Sequence, residues 1–250
     1  MYLSIIIPMC NEAAGAASCV RTLAGAMESA ELPGNYEILF SDDGSSDGCG
    51  DIVRETVREL SRELSLTRGE IRVVRSEQNR GKGHAVRLGM QASAGDICVF
   101  TDCDLAYGTD VILRMAERMN SEPGTDVLIG SRVLAEDGYA GYTFLRKLAS
   151  KLYVRLLTLA AGFRYTDSQC GIKMFRGEAA RKIFALCETD GWAFDFEVLL
   201  LAGKHGYSVA EHPVTVLNHR ESKIHLIRDS LKMAADVRKI RKRLRTKGEW

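Results

Sequence analysis

The first 130 residues alternate short apolar runs with amphipathic stretches, and this alternation restricts the fold more than any other feature. Runs rich in β-branched residues predict strands, and apolar residues at helical spacing predict helices. Strands are predicted at Tyr2–Ile7, Glu37–Ser41, Ile71–Arg75, Asp96–Thr101 and Val127–Gly130. Helices are predicted at Ala13–Ala30, Asp47–Ser65, Lys82–Ala94 and Asp110–Met119. Such alternation produces parallel βαβ units, so the sequence predicts a doubly wound α/β fold with a mostly parallel sheet flanked by helices.

The second half of the chain is less regular. It contains predicted helices at Tyr142–Ala161, Glu178–Leu186 and Phe194–His205, a short strand at Gly171–Phe175 and an extended segment at Ser208–Asn218. Ile224–Leu244 has one apolar stripe at helical spacing, formed by Met233, Val237, Ile240 and Leu244. We therefore expect a domain over residues 1–222 and a basic amphipathic C-terminal helix within residues 223–250.

The charge of the chain is distributed unevenly. The net charge is +1, yet residues 220–250 contain eleven Lys or Arg and four Asp or Glu. A basic helix with an apolar stripe can lie on an anionic membrane surface. The alternative is a helix that packs on the domain and presents a charged outer face. Nucleic acid is not an expected partner, because aromatic residues do not alternate with the basic ones.

The cysteines and the hydropathy of the chain bear on its location. The seven cysteines are scattered without a CxxC pair, which is typical of a reducing compartment rather than of a disulfide framework or a zinc site. The N-terminus lacks the basic residues of a signal peptide. The longest apolar stretch, residues 148–163, contains charged residues and falls short of a membrane span. We expect a cytoplasmic protein, at most peripheral on the inner face of a membrane.

Polar residues follow several of the predicted strands. Pro8, Asn11 and Glu12 follow the first strand, and Asp42 and Asp43 follow the second. In open α/β sheets, ligands bind beyond the carboxyl ends of the strands, so these residues are predicted to share one site. A carboxylate there can accept hydrogen bonds from a base or a ribose, although a turn that caps the next helix also explains Asp42 and Asp43.

Asp102 and Asp104 come directly after the fourth predicted strand. Two carboxylates at alternate positions can converge and hold Mg²⁺ or Mn²⁺ together with substrate phosphates. A solvated loop is the alternative for an isolated Asp-x-Asp. Gly81, Lys82 and Gly83 precede a predicted helix, where they can hold an anion at its N-terminus, but they do not form a P-loop.

In order and placement, these motifs resemble glycosyltransferase family 2 with the GT-A fold. The matching segments are IIIPMCNE, SDDGSSD, NRGKGHA, TDCDL, GSR, DSQCGIKMF, GWAFDFEVLL and ESK, and they extend over nearly the whole chain. The later motifs are most similar to the dolichyl-phosphate glucosyltransferases and related polyprenyl-phosphate enzymes. The resemblance implies a metal-dependent hexosyltransferase that inverts the configuration at the sugar C1.

The resemblance also implies roles for individual residues. The implied nucleotide-sugar contacts are Pro8, Asn11, Glu12, Asp42, Asp43, Lys82, Asp102, Cys103 and Asp104. The implied metal ligands are Asp102 and Asp104. The implied acceptor-phosphate contacts are Arg132, Arg146, Ser150 and Lys173. The implied catalytic residues are Asp104, Arg132, Arg146, Lys173 and Asp195. Two features depart from the family: Ala106 stands where mannosyl members often have a third metal-binding side chain, and many lipid-linked relatives have transmembrane helices.

The acceptor determines the mechanism, and three readings are open. The favoured one is transfer of glucose from UDP-glucose to a polyprenyl phosphate of the dolichyl or undecaprenyl type, an acceptor already ionised near neutral pH. The second is transfer to a saccharide or other hydroxyl, for which Asp195 or Glu197 would act as general base. The third is a non-catalytic protein that binds nucleotide sugars.

Overall fold

A computed structural model describes residues 1–31, 34–63, 66–138, 165–217 and 226–246. Within these ranges the strands are β1 (Leu3–Met9), β2 (Tyr36–Asp42), β3 (Gly69–Arg75), β4 (Ile97–Phe100), β5 (Val127–Ser131), β6 (Lys173–Arg176) and β7 (Val209–Pro213). The helices are α1 (Ala13–Ser29), α2 (Cys49–Glu63), α3 (Lys82–Ala92), α4 (Asp110–Ser121), α5 (Gly177–Leu186), α6 (Phe194–Lys204) and α7 (Leu226–Thr246).

The strands form one seven-stranded sheet in the order β3-β2-β1-β4-β6-β5-β7. Every pairing is parallel except those of β6, which runs antiparallel to β4 and β5. Because β6 is reversed, its first residue lies at the carboxyl edge of the parallel strands, where Lys173 pairs with Phe100 and Ile129. The segment that precedes β6 is thereby brought next to the loop that follows β4.

Helices cover both faces of the sheet, as expected for a doubly wound fold. Side chains alternate along β1, so Ile5 and Ile7 face the helices α1, α2 and α4, while Ile6 faces the opposite core. That second core is built by α3, α5, α6 and α7. Helix α7 contributes three buried residues at helical spacing, Val237, Ile240 and Leu244. The described part of the C-terminal helix therefore packs on the sheet domain through these three residues of its apolar stripe, and the three are not open to a membrane.

The elements predicted in the first half are confirmed with ends within two residues of the prediction. The predicted strand at Gly171–Phe175 is observed at Lys173–Arg176, and the extended segment at Ser208–Asn218 contains the strand β7. The predicted helix Tyr142–Ala161, with Arg146 and Ser150, lies outside the described residues. Among the helices that the structure describes, none combines the length and the apolar character needed to cross a bilayer.

Candidate active site

Three neighbouring parallel strands, β2, β1 and β4, end at one edge of the sheet, and the loops after them form the candidate site. Asn11, in the loop after β1, has a positive φ of 56° and ties this loop to the next. Its backbone N–H donates to Ser45 Oγ, and its Oδ1 accepts from the backbone N–H of Ser46, both at 3.0 Å. Asn11 therefore positions the loop after β2. Pro8 and Glu12, the other implied nucleotide contacts of this loop, lie partly exposed beside it.

Asp42 ends β2, and one of its carboxylate oxygens lacks a hydrogen-bond partner among the described residues. Oδ1 accepts from the backbone N–H of Ser45 at 2.9 Å. Oδ2 is buried and receives no hydrogen bond from the described residues, although Arg75 Nη1 lies 3.4 Å away. A Cβ on Gly50 would stand 3.2 Å from Oδ2, so glycine keeps space open there. An unsatisfied buried acceptor calls for an explanation, and an N–H donor from a ligand such as a nucleobase supplies one.

Asp43, by contrast, uses both carboxylate oxygens within the protein. Oδ2 accepts from the backbone N–H groups of Arg80 and Gly81 at 2.9 and 2.6 Å, and Oδ1 lies 2.8 Å from His84 Nδ1. The family resemblance implies that Asp43 contacts the nucleotide. In the structure its carboxylate instead fixes the loop that carries Lys82, which gives it a positioning role.

Lys82 is the first residue of α3, and its ammonium group lies 2.5 Å from Asp102 Oδ1. Burial would lower the pKa of Lys82, but Asp102, Asp195 and Asp104 raise it above the ordinary value. The Trp192 ring, 64% exposed, lies on another side of the ammonium, with its centroid 5.2 Å from Nζ. The lysine is thus a positive charge that pairs with Asp102 and is stabilised electrostatically by Asp195 and Asp104.

Asp102 and Asp104 project from the loop after β4, partly exposed. The backbone N–H of Ala106 donates to Asp104 Oδ1 at 3.1 Å, and Leu105 between them has a positive φ of 49°. Cys103 lies in the core and shares a hydrogen bond with Cys19, which together with burial raises the pKa of the Cys19 thiol. The side chain of Cys103 packs into the core and also lines the cleft beside Asp104, so its implied contact with the donor stays a prediction.

The two aspartates fit a divalent cation that is shared with a ligand. Among the described residues there is no group of three or more His, Cys, Asp or Glu side chains arranged to hold a metal ion. Mg²⁺ is commonly held by one or two carboxylates plus substrate phosphates, and Asp102 with Asp104 is a donor set of that kind. A cleft of about 510 Å³ opens beside Asp104 and leaves room for such a ligand; it is lined by Glu12, Ala14, Gly15, Ser18, Cys19, Thr22, Cys103, Asp104, Leu105, Gly108 and Thr109.

Gly171 keeps Asp102 in place. A Cβ at this position would lie 2.6 Å from Asp102 Oδ2, closer than real Cβ contacts occur. We expect Gly171→Ala to displace the carboxylate and to weaken Mn²⁺ binding in the presence of UDP by about tenfold. An equilibrium titration that follows free Mn²⁺ by electron paramagnetic resonance measures this loss of affinity. Gly25→Ala is the matched control, because a Cβ there meets nothing within 4 Å. Unchanged Mn²⁺ affinity in Gly171→Ala would contradict the role of Asp102.

Lys173 and Asp195 form a buried ion pair. Lys173 is fully buried, with its ammonium 2.5 Å from Asp195 Oδ1 and 2.7 Å from the carbonyl oxygen of Cys170. Burial raises the pKa of Asp195, against the lowering effect of Lys173 and Lys82. The prediction that Lys173 contacts an acceptor phosphate does not agree with this position, because the ammonium has no exposed surface. Lys173 instead orients Asp195, which faces Lys82.

Arg132 follows β5 and pairs with the fully buried Asp167 in bidentate geometry. Arg132 Nε lies 2.7 Å from Asp167 Oδ2 and Nη2 lies 2.9 Å from Oδ1. Such forks are geometrically specific, so the guanidinium is held in one orientation. It remains partly exposed, and the implied contact with a phosphate stays a prediction.

Glu197 is fully buried and cannot serve as a base for a hydroxyl acceptor. Its Oε2 accepts from the backbone N–H groups of Glu188 and Thr189 at 3.0 and 2.7 Å. Its Oε1 pairs with Arg243 of α7. The carboxylate therefore joins the C-terminal helix to the segment before Trp192. This corrects the alternative in which Glu197 is catalytic.

Asp190 has a structural role that the sequence does not predict. It pairs with Arg80 and Arg87, and its carbonyl oxygen accepts from the backbone N–H of His84. The loop that carries Lys82 is thus held in place by a residue more than a hundred positions further along the chain. Only the proximity of Asp190 to the GWAFDFE motif signals a role, and no spacing rule identifies its partners.

Comparisons with known proteins concern the sequence and the fold. The sequence model of Glycosyl transferase family 2 matches residues 4–184. A dolichyl-phosphate beta-glucosyltransferase of Dictyostelium discoideum is 32% identical over 96% of this chain and 74% of its own length. The protein of the same name from Saccharomyces cerevisiae is 30% identical over 95% and 73%.

Solved structures share the fold. Glucosyl-3-phosphoglycerate synthase from Mycobacterium tuberculosis, in complex with phosphoglyceric acid, superposes with a TM-score of 0.67 at 18% identity over 94% of this chain and 79% of that chain. Its complex with Mn²⁺, UDP and glucosyl-3-phosphoglycerate superposes with a TM-score of 0.63 at 19% identity, over 96% and 78%. At this identity the likeness concerns the fold alone.

Proposed function

This chain belongs to glycosyl transferase family 2 and has the expected GT-A fold, and from that premise we propose that it transfers glucose from UDP-glucose to a polyprenyl phosphate. The relatives from Dictyostelium and Saccharomyces bear the name dolichyl-phosphate beta-glucosyltransferase and match almost the whole chain. The observation that carries the proposal is the convergence of Asp42, Lys82, Asp102 and Asp104 on one edge of the sheet.

The charges and hydrogen-bonding groups of the donor half of the site favour a nucleotide-sugar donor. Oδ2 of Asp42, which receives no hydrogen bond from the described residues, can accept an N–H of the base. Lys82, at the N-terminus of α3, can contact the diphosphate. Mg²⁺ or Mn²⁺ held by Asp102 and Asp104 would act as a Lewis acid that stabilises the negative charge of the leaving diphosphate. Solved neighbours crystallised with UDP and either Mn²⁺ or Mg²⁺ support this choice of donor and metal.

A phosphate acceptor suits the acceptor half better than a hydroxyl does. An ionised phosphate oxygen can attack C1 of the sugar without a general base, while the bond from C1 to the diphosphate oxygen breaks and its electron pair leaves with the diphosphate. A hydroxyl would need a base within hydrogen-bond reach. Asp195 is nearly buried and bound to Lys173, so it is poorly placed to accept a proton. A single displacement of this kind inverts C1.

The acceptor phosphate requires cations. Arg132, oriented by Asp167, lies at the end of β5 on the same edge of the sheet. Arg146 and Ser150, one helical turn apart in the sequence, complete the proposed phosphate contacts on the basis of the family resemblance. Lys173 makes no direct contact with the acceptor in this proposal, and its charge orients Asp195.

The test of this function is a Mn²⁺-supplemented transfer assay with radiolabelled UDP-glucose, GDP-mannose and UDP-GlcNAc. Each donor is offered to a short polyprenyl phosphate and, as a matched control, to the corresponding free polyprenol. The proposal expects label to enter the organic phase from UDP-glucose with the phosphate alone. Transfer to the polyprenol, or release of nucleotide without transfer to either lipid, would contradict the proposed acceptor.

The outer face of α7 is proposed to contact the anionic membrane surface that carries the acceptor. Val237, Ile240 and Leu244 of the apolar stripe are buried. The described residues on the opposite side of the helix are exposed and mostly basic, and the basic ones are Arg238, Lys239, Lys242 and Arg245. Basic side chains near an anionic surface contribute about 1 kcal/mol each. The contact is therefore electrostatic and places no helix within the bilayer.

Charge reversal on this face is expected to weaken binding to vesicles that contain anionic phospholipid. Lys242→Glu changes the local charge by two units and should reduce the bound fraction several-fold at low salt. Co-sedimentation measures it, and the wild-type protein should detach at high salt. Lys182→Glu, an exposed lysine of α5, is the control for net charge. Equal losses in both variants would show that α7 has no special contact.

A further inference from the structure

The ammonium group of Lys82 pairs with Asp102, one of the two aspartates proposed to hold the metal ion. It lies 2.5 Å from Asp102 Oδ1, and Asp104 and Asp195 act on it electrostatically. The side chain of Lys82 is 15% exposed and that of Asp102 is 36% exposed, so the pair is partly shielded from water. An ammonium group and a divalent ion repel each other, so the two compete for the same carboxylate.

The backbone around Lys82 is fixed, so only its side chain is free to move. Asp43 accepts hydrogen bonds from the backbone N–H groups of Arg80 and Gly81. A Cβ on Gly81 would lie 2.6 Å from the carbonyl oxygen of Asp190, which shows how closely the loop is packed. The ammonium group can therefore leave Asp102 by rotation about the side-chain bonds of Lys82.

The lysine has other partners that can hold its charge away from Asp102. Nζ already lies 5.2 Å from the Trp192 ring centroid while it pairs with Asp102, and an ammonium over an aromatic face is stabilised. The diphosphate of a bound nucleotide offers anionic oxygens to a residue at the N-terminus of a helix. Both partners hold the positive charge while Asp102 becomes available to a metal ion.

We infer that Lys82 is a built-in counter-ion of the metal site, which occupies the cation position in the free protein and moves away when a metal ion and a nucleoside diphosphate bind together. This inference rests on the proposed function, since it concerns the same donor site. The metal ion alone binds weakly, because it must displace the ammonium. The diphosphate draws the lysine away and brings its own oxygens to the metal, so each ligand strengthens the binding of the other by the same factor.

The test measures Mn²⁺ affinity without any sugar transfer. Free Mn²⁺ is titrated from its electron paramagnetic resonance signal with wild-type protein and with Lys82→Met, each with and without UDP. Without UDP, Lys82→Met is expected to bind Mn²⁺ at least tenfold more tightly than the wild type. With UDP, the gain in Mn²⁺ affinity should be smaller in Lys82→Met than in the wild type.

Lys182→Met is the matched control, because it makes the same substitution at an exposed position of α5 outside the site. If Lys82→Met fails to fold, as judged by circular dichroism, Lys82→Gln provides a second neutral side chain. Mn²⁺ affinity that stays unchanged without UDP in the folded variant, or that rises equally in Lys182→Met, overturns the inference. Mn²⁺ affinity that does not respond to UDP in the wild type contradicts both the proposed donor and the coupled departure of Lys82, whereas a clear response to UDP beside an unchanged affinity of Lys82→Met overturns the inference alone.

Discussion

Asp104→Asn is expected to lower sugar transfer about 10²- to 10³-fold while the protein stays folded. The amide oxygen can still accept from the backbone N–H of Ala106, so the loop keeps its local hydrogen bond. What is lost is the negative charge that holds the metal ion and, through it, the leaving diphosphate. Initial rates of label transfer from UDP-glucose measure the effect, and the thermal midpoint checks the fold.

Asp110→Asn is the control for this loss, because Asp110 is the exposed first residue of α4, close in sequence to the same loop. We expect this variant to retain nearly full activity. If Asp104→Asn retains full activity too, the metal site does not involve Asp104.

Arg243→Met is expected to destabilise the protein by on the order of 3 kcal/mol, since it leaves the buried carboxylate of Glu197 without its charged partner. For a domain of this size the thermal midpoint should fall by roughly 6–12 °C. Calorimetry or circular dichroism measures the shift. The buried carboxylate keeps its two backbone N–H donors, so we expect partial rather than complete loss of the native state.

A second substitution identifies the cause of the loss. Glu197→Gln removes the buried charge, so the double variant with Arg243→Met should be more stable than Arg243→Met alone. Arg238→Met, an exposed arginine of the same helix, should leave the midpoint nearly unchanged. If Arg238→Met lowers it as much as Arg243→Met does, the contribution comes from helix charge and not from the pair.

The sequence predicts the sheet and the edge that carries the site because both depend on local patterns. Apolar periodicity locates β1 to β5 within two residues, and the parallel arrangement then brings Asp42 and Asp102 to one edge. The reversed strand β6 is predicted as a strand, but its direction is not, because direction depends on chain connectivity between β5 and β6. That reversal is what places Gly171 against Asp102.

The roles of the charged residues are less predictable, because they depend on which opposite charge lies nearby in space. Lys173 and Arg132 carry the same sign in the same motif-rich region, yet Lys173 is fully buried on Asp195 while Arg132 is partly exposed on Asp167. Asp43 follows Asp42 directly, and only the contacts show that Asp43 holds the lysine loop. The resemblance assigns such residues to a site; the structure separates those that can touch a ligand from those that orient them.

The measurement that tests the account most directly is isothermal titration of UDP-glucose into the protein with Mn²⁺, repeated after chelation and with Asp42→Asn. In this variant the amide oxygen should accept from Ser45, which turns the NH₂ group toward the place of an incoming N–H donor. We expect one binding site, lost on chelation and at least tenfold weaker in Asp42→Asn. Binding that is indifferent to both the metal ion and Asp42 would contradict it.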